Sequence, residues 1–254
     1  MKTEDLQVSL EKLAEEPYVA IICYPKPSRA ELQKRLKELR KLGVSAIGFS
    51  GGKKVLNLHV LGKGCVGLVV KAYKANGKTV ALKVRRVDAD RAMMQHEAEM
   101  LKVANSVDVG PKLLDVSKNF LVMQFVEGDL LPKWLEKRLS RTRLKKVLTE
   151  ILEQCWRLDK AGLDHGELSH APKHIIVNGQ DKPAIVDFET ASLNRRPSNV
   201  TSIAQFLFIS GAVAEKVNQK LGERDRNVII EALRRYRAEG SRQKFEDILK
   251  ACGV

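Results

Sequence analysis

A chain of 254 residues that is 44% hydrophobic is long enough to bury a core and to make an enzyme, as one bilobed domain or two small ones. Forty-five Lys and Arg against 31 Asp and Glu leave a formal charge of +14, which makes a polyanion a natural partner. Three layouts are missing: an apolar run near the ~18 residues of a membrane span, a signal peptide at Met1-Lys2-Thr3-Glu4-Asp5, and any C-x-x-C among Cys23, Cys65, Cys155 and Cys252. A membrane protein, an exported disulfide scaffold and a zinc cluster are excluded on that basis, and a cytoplasmic protein with reduced thiols and no membrane partner is expected.

Residues 4 to 15 read as a short amphipathic helix, and Tyr18 to Tyr24 as a strand closed by Pro25 and Pro27. Ser28 and Glu31 then form a capping box, Leu32, Leu36 and Leu39 fall on one helical face, and Gly43 stops that helix before a strand at Val44 to Phe49. Residues 1–52 are thus expected to form a basic α/β module. Its helix carries Arg29, Lys34, Arg35, Lys37, Arg40 and Lys41 against Glu31 and Glu38, a pattern that suits either a phosphate-contacting surface or an ordinary solvated face.

Val55 to Leu61 reads as a strand running into Gly62-Lys63-Gly64-Cys65-Val66-Gly67-Leu68-Val69. The β-branched residues that follow end at Asn76-Gly77, which calls for a hairpin rather than the helix of a dinucleotide site. Glycines in such a hairpin let backbone N–H groups approach phosphate oxygens. The next strand, Thr79 to Val84, holds Lys83 between Leu82 and Val84, where an inward ammonium needs a counter-charge. Asp88 or Asp90 caps the following helix, whose inward face is read as Met93, Glu97, Met100, Leu101 and Ala104. Glu97 is the acid on that face, and Glu99 points away by ~200°. Gly110-Pro111 breaks the chain before strands at Leu113 to Val116 and Phe120 to Val126.

A long amphipathic helix through Leu144, Val147, Leu148, Ile151, Leu152, Cys155 and Leu158 ends at Gly162 and delivers the chain to His165-Gly166-Glu167-Leu168-Ser169-His170. Lys133, Lys137, Arg138, Arg141, Arg143, Lys145 and Lys146 make its approach basic. Two short antiparallel strands, Ile175 to Val177 and Ala184 to Val186, flank the turn Asn178-Gly179-Gln180-Asp181 and carry acids at their outer ends, the second leading into Asp187-Phe188-Glu189. A helical pattern resumes near Asn199 to Phe208, and residues 225 to 238 and 241 to 251 read as closing helices.

With the glycine loop, Lys83, Glu97 and Asp187-Phe188-Glu189 in one order, residues 53 to 210 resemble the protein-kinase-like superfamily. The match is closest to the small atypical kinases of the RIO and Bud32 kind, whose H-G-D-L-S/T loop is similar to His165-Gly166-Glu167-Leu168-Ser169. The resemblance implies an α+β, bilobed fold: a β-rich ATP-binding lobe at 53–126 and a minimal helical lobe at 127–254, with the N-terminal module added. It implies ATP and Mg²⁺ as cofactors. Lys83, Glu167 and Asp187 are then catalytic, and Gly62, Lys63, Gly64, Cys65, Val66, Gly67, Val69, Ala81, Lys83, Glu97, Met123, Gln124 and Val126 line the nucleotide, with Met123 at the back wall and Gln124 C=O and Val126 N–H on the base.

The departures from the pattern are informative. Glu167 replaces the usual Asp and reaches one methylene further, and Pro172 stands where a metal-binding Asn is expected. A two-residue insertion restores the register and puts His174 in that position, so Asp187 and His174 are the expected metal ligands, with Ser169 and His170 as competitors. No long activation segment or A-P-E anchor follows Glu189. The basic charge, the N-terminal module and the altered loop resemble archaeal RNA kinases that phosphorylate a ribose 2′-hydroxyl of a uridine in the tRNA variable loop. That implies a monomer binding tRNA or other structured RNA through Lys34, Arg35, Lys37, Arg40, Lys41, Lys137, Arg138, Arg141 and Arg143. A RIO/Bud32-like Ser/Thr protein kinase and a nucleotide-switched RNA-binding protein without catalysis are the alternatives.

Overall fold

The computed structural model of the chain describes residues 6–254. They fall into two compact units, one running up to Lys102 and including Pro111–Phe125, the other made of Val103–Gly110 and Val126–Val254.

The first unit is built on a seven-stranded antiparallel sheet. In chain order its elements are β1 (Leu6–Ser9), α1 (Tyr18–Ile22), α2 (Arg29–Lys41), β2 (Val44–Phe49), β3 (Lys53–Val55), β4 (Leu58–Val60), β5 (Gly62–Lys63), β6 (Gly67–Lys74), β7 (Thr79–Arg85), α3 (Arg91–Ser106), β8 (Leu113–Val116) and β9 (Phe120–Gln124). The sheet order is β1-β2-β6-β7-β9-β8, with β5 paired to β6 and β3–β4 forming a separate hairpin. Alternation along β6 and β7 sorts the side chains: Leu68, Val70, Ala72, Val80, Leu82 and Val84 enter the buried core, while Val69, Lys71, Ala81 and Lys83 share the opposite face. Cross-strand pairs fix that face, with Val69 opposite Lys83, Lys71 opposite Ala81, and Ala81 opposite Met123.

Several expectations are corrected here. The run Tyr18 to Tyr24 is helical over Tyr18–Ile22, because a fully buried apolar run carries no period that separates strand from helix. In place of a helix over 4 to 15 stand β1 and a 3₁₀ turn at Lys12–Ala14; residues 4 and 5 lie outside the described residues. Val55 to Leu61 is not one strand, since Leu56 (φ 46°) and Asn57 (φ 66°) turn β3 back into β4. Hydrogen bonding between β2 and β6 crosses the boundary placed at residue 52. In α3 Met94 turns inward along with Met100, and Met93, expected on that face, is exposed.

The largest correction concerns Arg35, expected on the exposed basic face and found fully buried. It lies one turn from Leu32 and Leu39 on the inward stripe, and its guanidinium donates to Ile22 O (2.7 Å), Arg85 O (2.6 Å) and Glu31 Oε1 (2.9 Å). Asn119 Oδ1 accepts from buried Arg85 (2.7 Å), and Glu38 accepts from Ser117 Oγ (2.8 Å) and the Asn119 amide N–H (3.1 Å). Glu31 thereby compensates buried Arg35, as burial of charge requires, while Glu38 reaches Arg85 through Asn119, which both of them bond. The helix is locked to the end of β7 and to the β8–β9 turn, while Arg29, Lys34, Lys37, Arg40 and Lys41 remain exposed.

The second unit contains β10 (Asp129–Leu130), α4 (Leu131–Trp134), α5 (Arg141–Lys160), β11 (Ile175–Val177), β12 (Pro183–Ile185), α6 (Asn199–Ala204) continued by a π-helical turn at Gln205–Ile209, α7 (Ala212–Leu221), α8 (Arg226–Glu239) and α9 (Arg242–Cys252). Helix α5 buries Leu144, Val147, Leu148, Ile151, Leu152, Cys155 and Leu158, the stripe read from the sequence. The β11–β12 hairpin gains β10 as a third strand, and α7 is an element the sequence reading did not identify. Among the described residues, no single helix is long and apolar enough to cross a membrane.

Candidate active site

In the first unit the glycine segment is a hairpin, closed where the Gly64 amide N–H donates to Gly67 O (2.8 Å). The glycines have different reasons. A Cβ on Gly67 would meet Val84 O at 2.7 Å, so close approach to β7 demands glycine there. A Cβ on Gly62 meets Val69 at an ordinary 3.6 Å, so packing leaves room for a side chain at that position. Lys63 and Cys65 are exposed and Val66 is buried. Lys63 Nζ lies over the Tyr24 ring at 5.1 Å.

Lys83, buried in β7, places Nζ 2.6 Å from Oε2 of buried Glu97. An ammonium inside an apolar strand is tolerated there because the carboxylate on α3 compensates it. Glu97, and not exposed Glu99, is the residue α3 turns inward. Val69 and Ala81 share a sheet face with Lys83, Met123 stands opposite Ala81, and Gln124 is exposed at the end of β9. Val126, half-buried, belongs to the second unit.

In the second unit the segment after α5 is anchored before it reaches the polar cluster. Asn199 Nδ2 donates to Asp159 Oδ1 (2.8 Å) and Leu163 O (2.6 Å), and its Oδ1 accepts the His165 amide N–H (2.8 Å). Asp164 exchanges two backbone hydrogen bonds with Ser192 and accepts from Arg195 Nε (2.9 Å) and Ser198 N–H (3.1 Å). Arg195 also donates to Thr190 O (2.6 Å) and lies where a Cβ on Gly166 (φ 87°) would sit, 2.6 Å from its Nη2. The short segment after Glu189 is therefore folded back on the loop. Asp159, Asp164, Arg195 and Asn199 were not singled out from the sequence, because each acts by long-range hydrogen bonding that no local spacing signals.

His165 is fully buried, and its Nε2 donates to Val186 O (3.1 Å), which fixes the proton on that nitrogen. Burial, with His174 beside it, lowers its pKa to about 4. Burial also lowers that of His174, against the pull of Asp187 and Glu167. Well above pH 6.5, His165 is neutral whether folded or not. As pH falls through that value the unfolded chain takes a proton that the folded chain refuses, so stability should decline between 6.5 and about 4, by about 3 kcal/mol in all. Denaturant midpoints measured across that window should show the loss, and His165→Asn should flatten it.

Glu167, His174 and Asp187 converge. His174 Nε2 lies 2.9 Å from Glu167 Oε2 and 3.8 Å from Asp187 Oδ2, and one potential ligand atom from each lies within 4.8 Å of the others. The two carboxylates are half-buried and His174 is buried. Asp187 holds a left-handed backbone (φ 71°), a conformation Asp tolerates better than most residues and one that clusters at functional sites. The donor set fits a divalent cation. Of the three candidates for the Asn position, His174 reaches the carboxylates, whereas Ser169 and His170 are exposed and face each other at 3.4 Å.

The expected RNA-facing cations are unequally available. Lys137 pairs with Asp129 (2.8 Å) and Arg143 with Asp181 (2.7 Å), while Arg138 and Arg141 are exposed.

Comparison with known proteins adds two findings. Residues 68–201 match the sequence pattern of the RIO domain. An uncharacterized protein of Methanocaldococcus jannaschii is 31% identical over 99 residues, which are 39% of this chain and 83% of that protein.

Proposed function

The chain belongs to the RIO domain family of atypical kinase-like, ATP-binding proteins, and on that premise we propose that it transfers the γ-phosphate of ATP to a ribose 2′-hydroxyl of tRNA, at a variable-loop uridine, as a cytoplasmic monomer. The observation that carries the RNA acceptor is the exposed cationic face of α2, where Lys34, Lys37, Arg40 and Lys41 are displayed on a helix immobilised by buried Arg35. Segment 190–198 supports the same acceptor, because it is pinned through Arg195 and Asp164 and offers no extended strip for a peptide.

Lys83, held by Glu97, positions the nucleotide phosphates, and the glycine hairpin covers them with backbone N–H groups. Asp187 would hold a divalent cation such as Mg²⁺, which when bound would neutralise charge on the phosphates. Glu167 accepts the proton of the 2′-hydroxyl as its oxygen attacks the γ-phosphorus and the bond to the β–γ bridging oxygen breaks.

Replacing Lys34, Lys37, Arg40 and Lys41 together by alanine should raise KM for tRNA at least about tenfold and flatten the dependence of binding on salt, with ATP binding unchanged. Arg35 is left out because it supports the fold. An unchanged KM would make this face an ordinary solvated one and remove the support for an RNA acceptor.

A further inference from the structure

The β3–β4 hairpin is anchored at its base and anomalous at its tip. Val55, Leu58 and Val60 enter the same core cluster as the inward stripe of α2. His59 Nδ1 donates to Gly51 O (3.0 Å), and a Cβ on Gly51 (φ 125°) would collide with Val60 O, so glycine is required where the chain enters the hairpin. The pairing of Val55 with Leu58 leaves a two-residue turn, Leu56-Asn57, with positive φ at both positions. Glycine, asparagine and aspartate fit such a turn, and Asn57 conforms. Leu56 does not. A bulky side chain at φ 46° is strained, and the residue is 52% exposed, so core packing does not hold it there. Strain of this kind clusters at functional sites.

The charge around the tip selects its partner. From Leu39 to Val87 the chain carries eleven Lys and Arg and no Asp or Glu. Lys53 and Lys54, in the strand that leads to the turn, are both exposed. A second copy of the chain would bring the same unbalanced cations against this surface, whereas a nucleic acid brings phosphates. An apolar side chain on a cationic ribbon suits a base held out of its stack: the wedge covers the exposed base plane while the cations take neighbouring phosphates. We propose that the β3–β4 hairpin is an RNA contact in which Leu56 packs against an unstacked base of a structured RNA, with Lys53 and Lys54 on the adjoining phosphates. The inference deepens the tRNA proposal and rests on its reading of RNA as the partner.

The test is made on the full chain without ATP, by measuring the affinity for a labelled tRNA transcript and for a fully paired RNA duplex across a range of salt. Leu56→Asn should weaken tRNA binding about tenfold, the loss of one buried apolar side chain, and leave both duplex binding and the salt dependence unchanged. Leu56→Met should bind as wild type does. Replacing Lys53 and Lys54 together by alanine should instead lower the salt slope by about two for both RNAs. Asparagine fits the turn, so the denaturant midpoint of Leu56→Asn should equal or exceed that of wild type; a lower midpoint would give Leu56 a role in folding and overturn the proposal. Unchanged tRNA affinity in Leu56→Asn would overturn it too, as would an equal loss for tRNA and duplex. A dimer in sedimentation that this variant dissolves, with tRNA affinity unchanged, would assign the tip to a second copy. Leu56-dependent binding of a tRNA that is never phosphorylated would uphold the contact and count against the RNA acceptor alone.

Discussion

Replacing Asp187 by asparagine is expected to lower turnover by about 10³-fold or more while binding of a non-hydrolysable ATP analogue persists. Asparagine is the informative change because Asp187 sits at φ 71°. Alanine at that backbone costs about 1–2 kcal/mol of strain, whereas asparagine adopts it readily and keeps the side-chain volume. The asparagine variant therefore removes the charge and leaves the loop. Single-turnover kinetics separates the cases. A lost chemical step with analogue affinity within a few-fold of wild type is the expected result, and unaffected turnover would remove Asp187 from the cation site. His174→Asn should be milder, since the Asp187 carboxylate assigned to the cation is retained.

Arg35→Ala is expected to destabilise the protein by about 3–5 kcal/mol. The guanidinium satisfies Ile22 O and Arg85 O in the core, and its loss leaves both carbonyls and the Glu31 carboxylate with fewer partners. Lysine should not rescue it, because a single ammonium cannot reproduce a planar fork that spans three elements. Chemical denaturation checks both variants, with Lys34→Ala as the exposed comparison that should change stability by no more than about 0.5 kcal/mol. Equal effects of Arg35→Ala and Lys34→Ala would contradict the buried role. The contrast bears on function as well, because loss of RNA binding in an Arg35 variant would report a displaced helix rather than a lost phosphate contact.

Arg35 also shows where residue pattern and fold part company. Helical spacing from Leu32 and Leu39 already turns Arg35 inward, but its residue type argued for solvent, and only the partners on α1, β7 and the β8–β9 turn make its burial possible. Helix α1 was illegible for a different reason: Val19, Ala20, Ile21 and Ile22 are all buried, and a run buried on every side has no period. Strongly periodic elements came through. The stripe of α5, the β6–β7 hairpin around Asn76-Gly77 and the inward turn of Glu97 all follow from spacing, and the Lys83–Glu97 pair follows from the cost of an uncompensated buried charge.

Within the second unit, the convergence of Glu167, His174 and Asp187 depended on a two-residue insertion that a sequence can suggest but not place. The strands β11 and β12 carry it out: the Val186 amide N–H donates to His174 O (2.9 Å), which brings the residues before β11 and after β12 side by side. The supporting shell of Asp159, Asn199, Asp164 and Arg195 had no local signal, being assembled from α5, the loop and α6 by hydrogen bonds between residues 31 to 40 positions apart.

The most direct test of the proposed activity is incubation of the protein with ATP labelled in the γ-phosphate, a divalent cation, bulk tRNA and a mixture of proteins, followed by separation of the pools and nuclease digestion of the RNA. Label in tRNA that survives digestion as a 2′-phosphate, and is lost in Asp187→Asn, is the result expected. Label confined to protein, or transfer to neither pool, would contradict an RNA ribose acceptor.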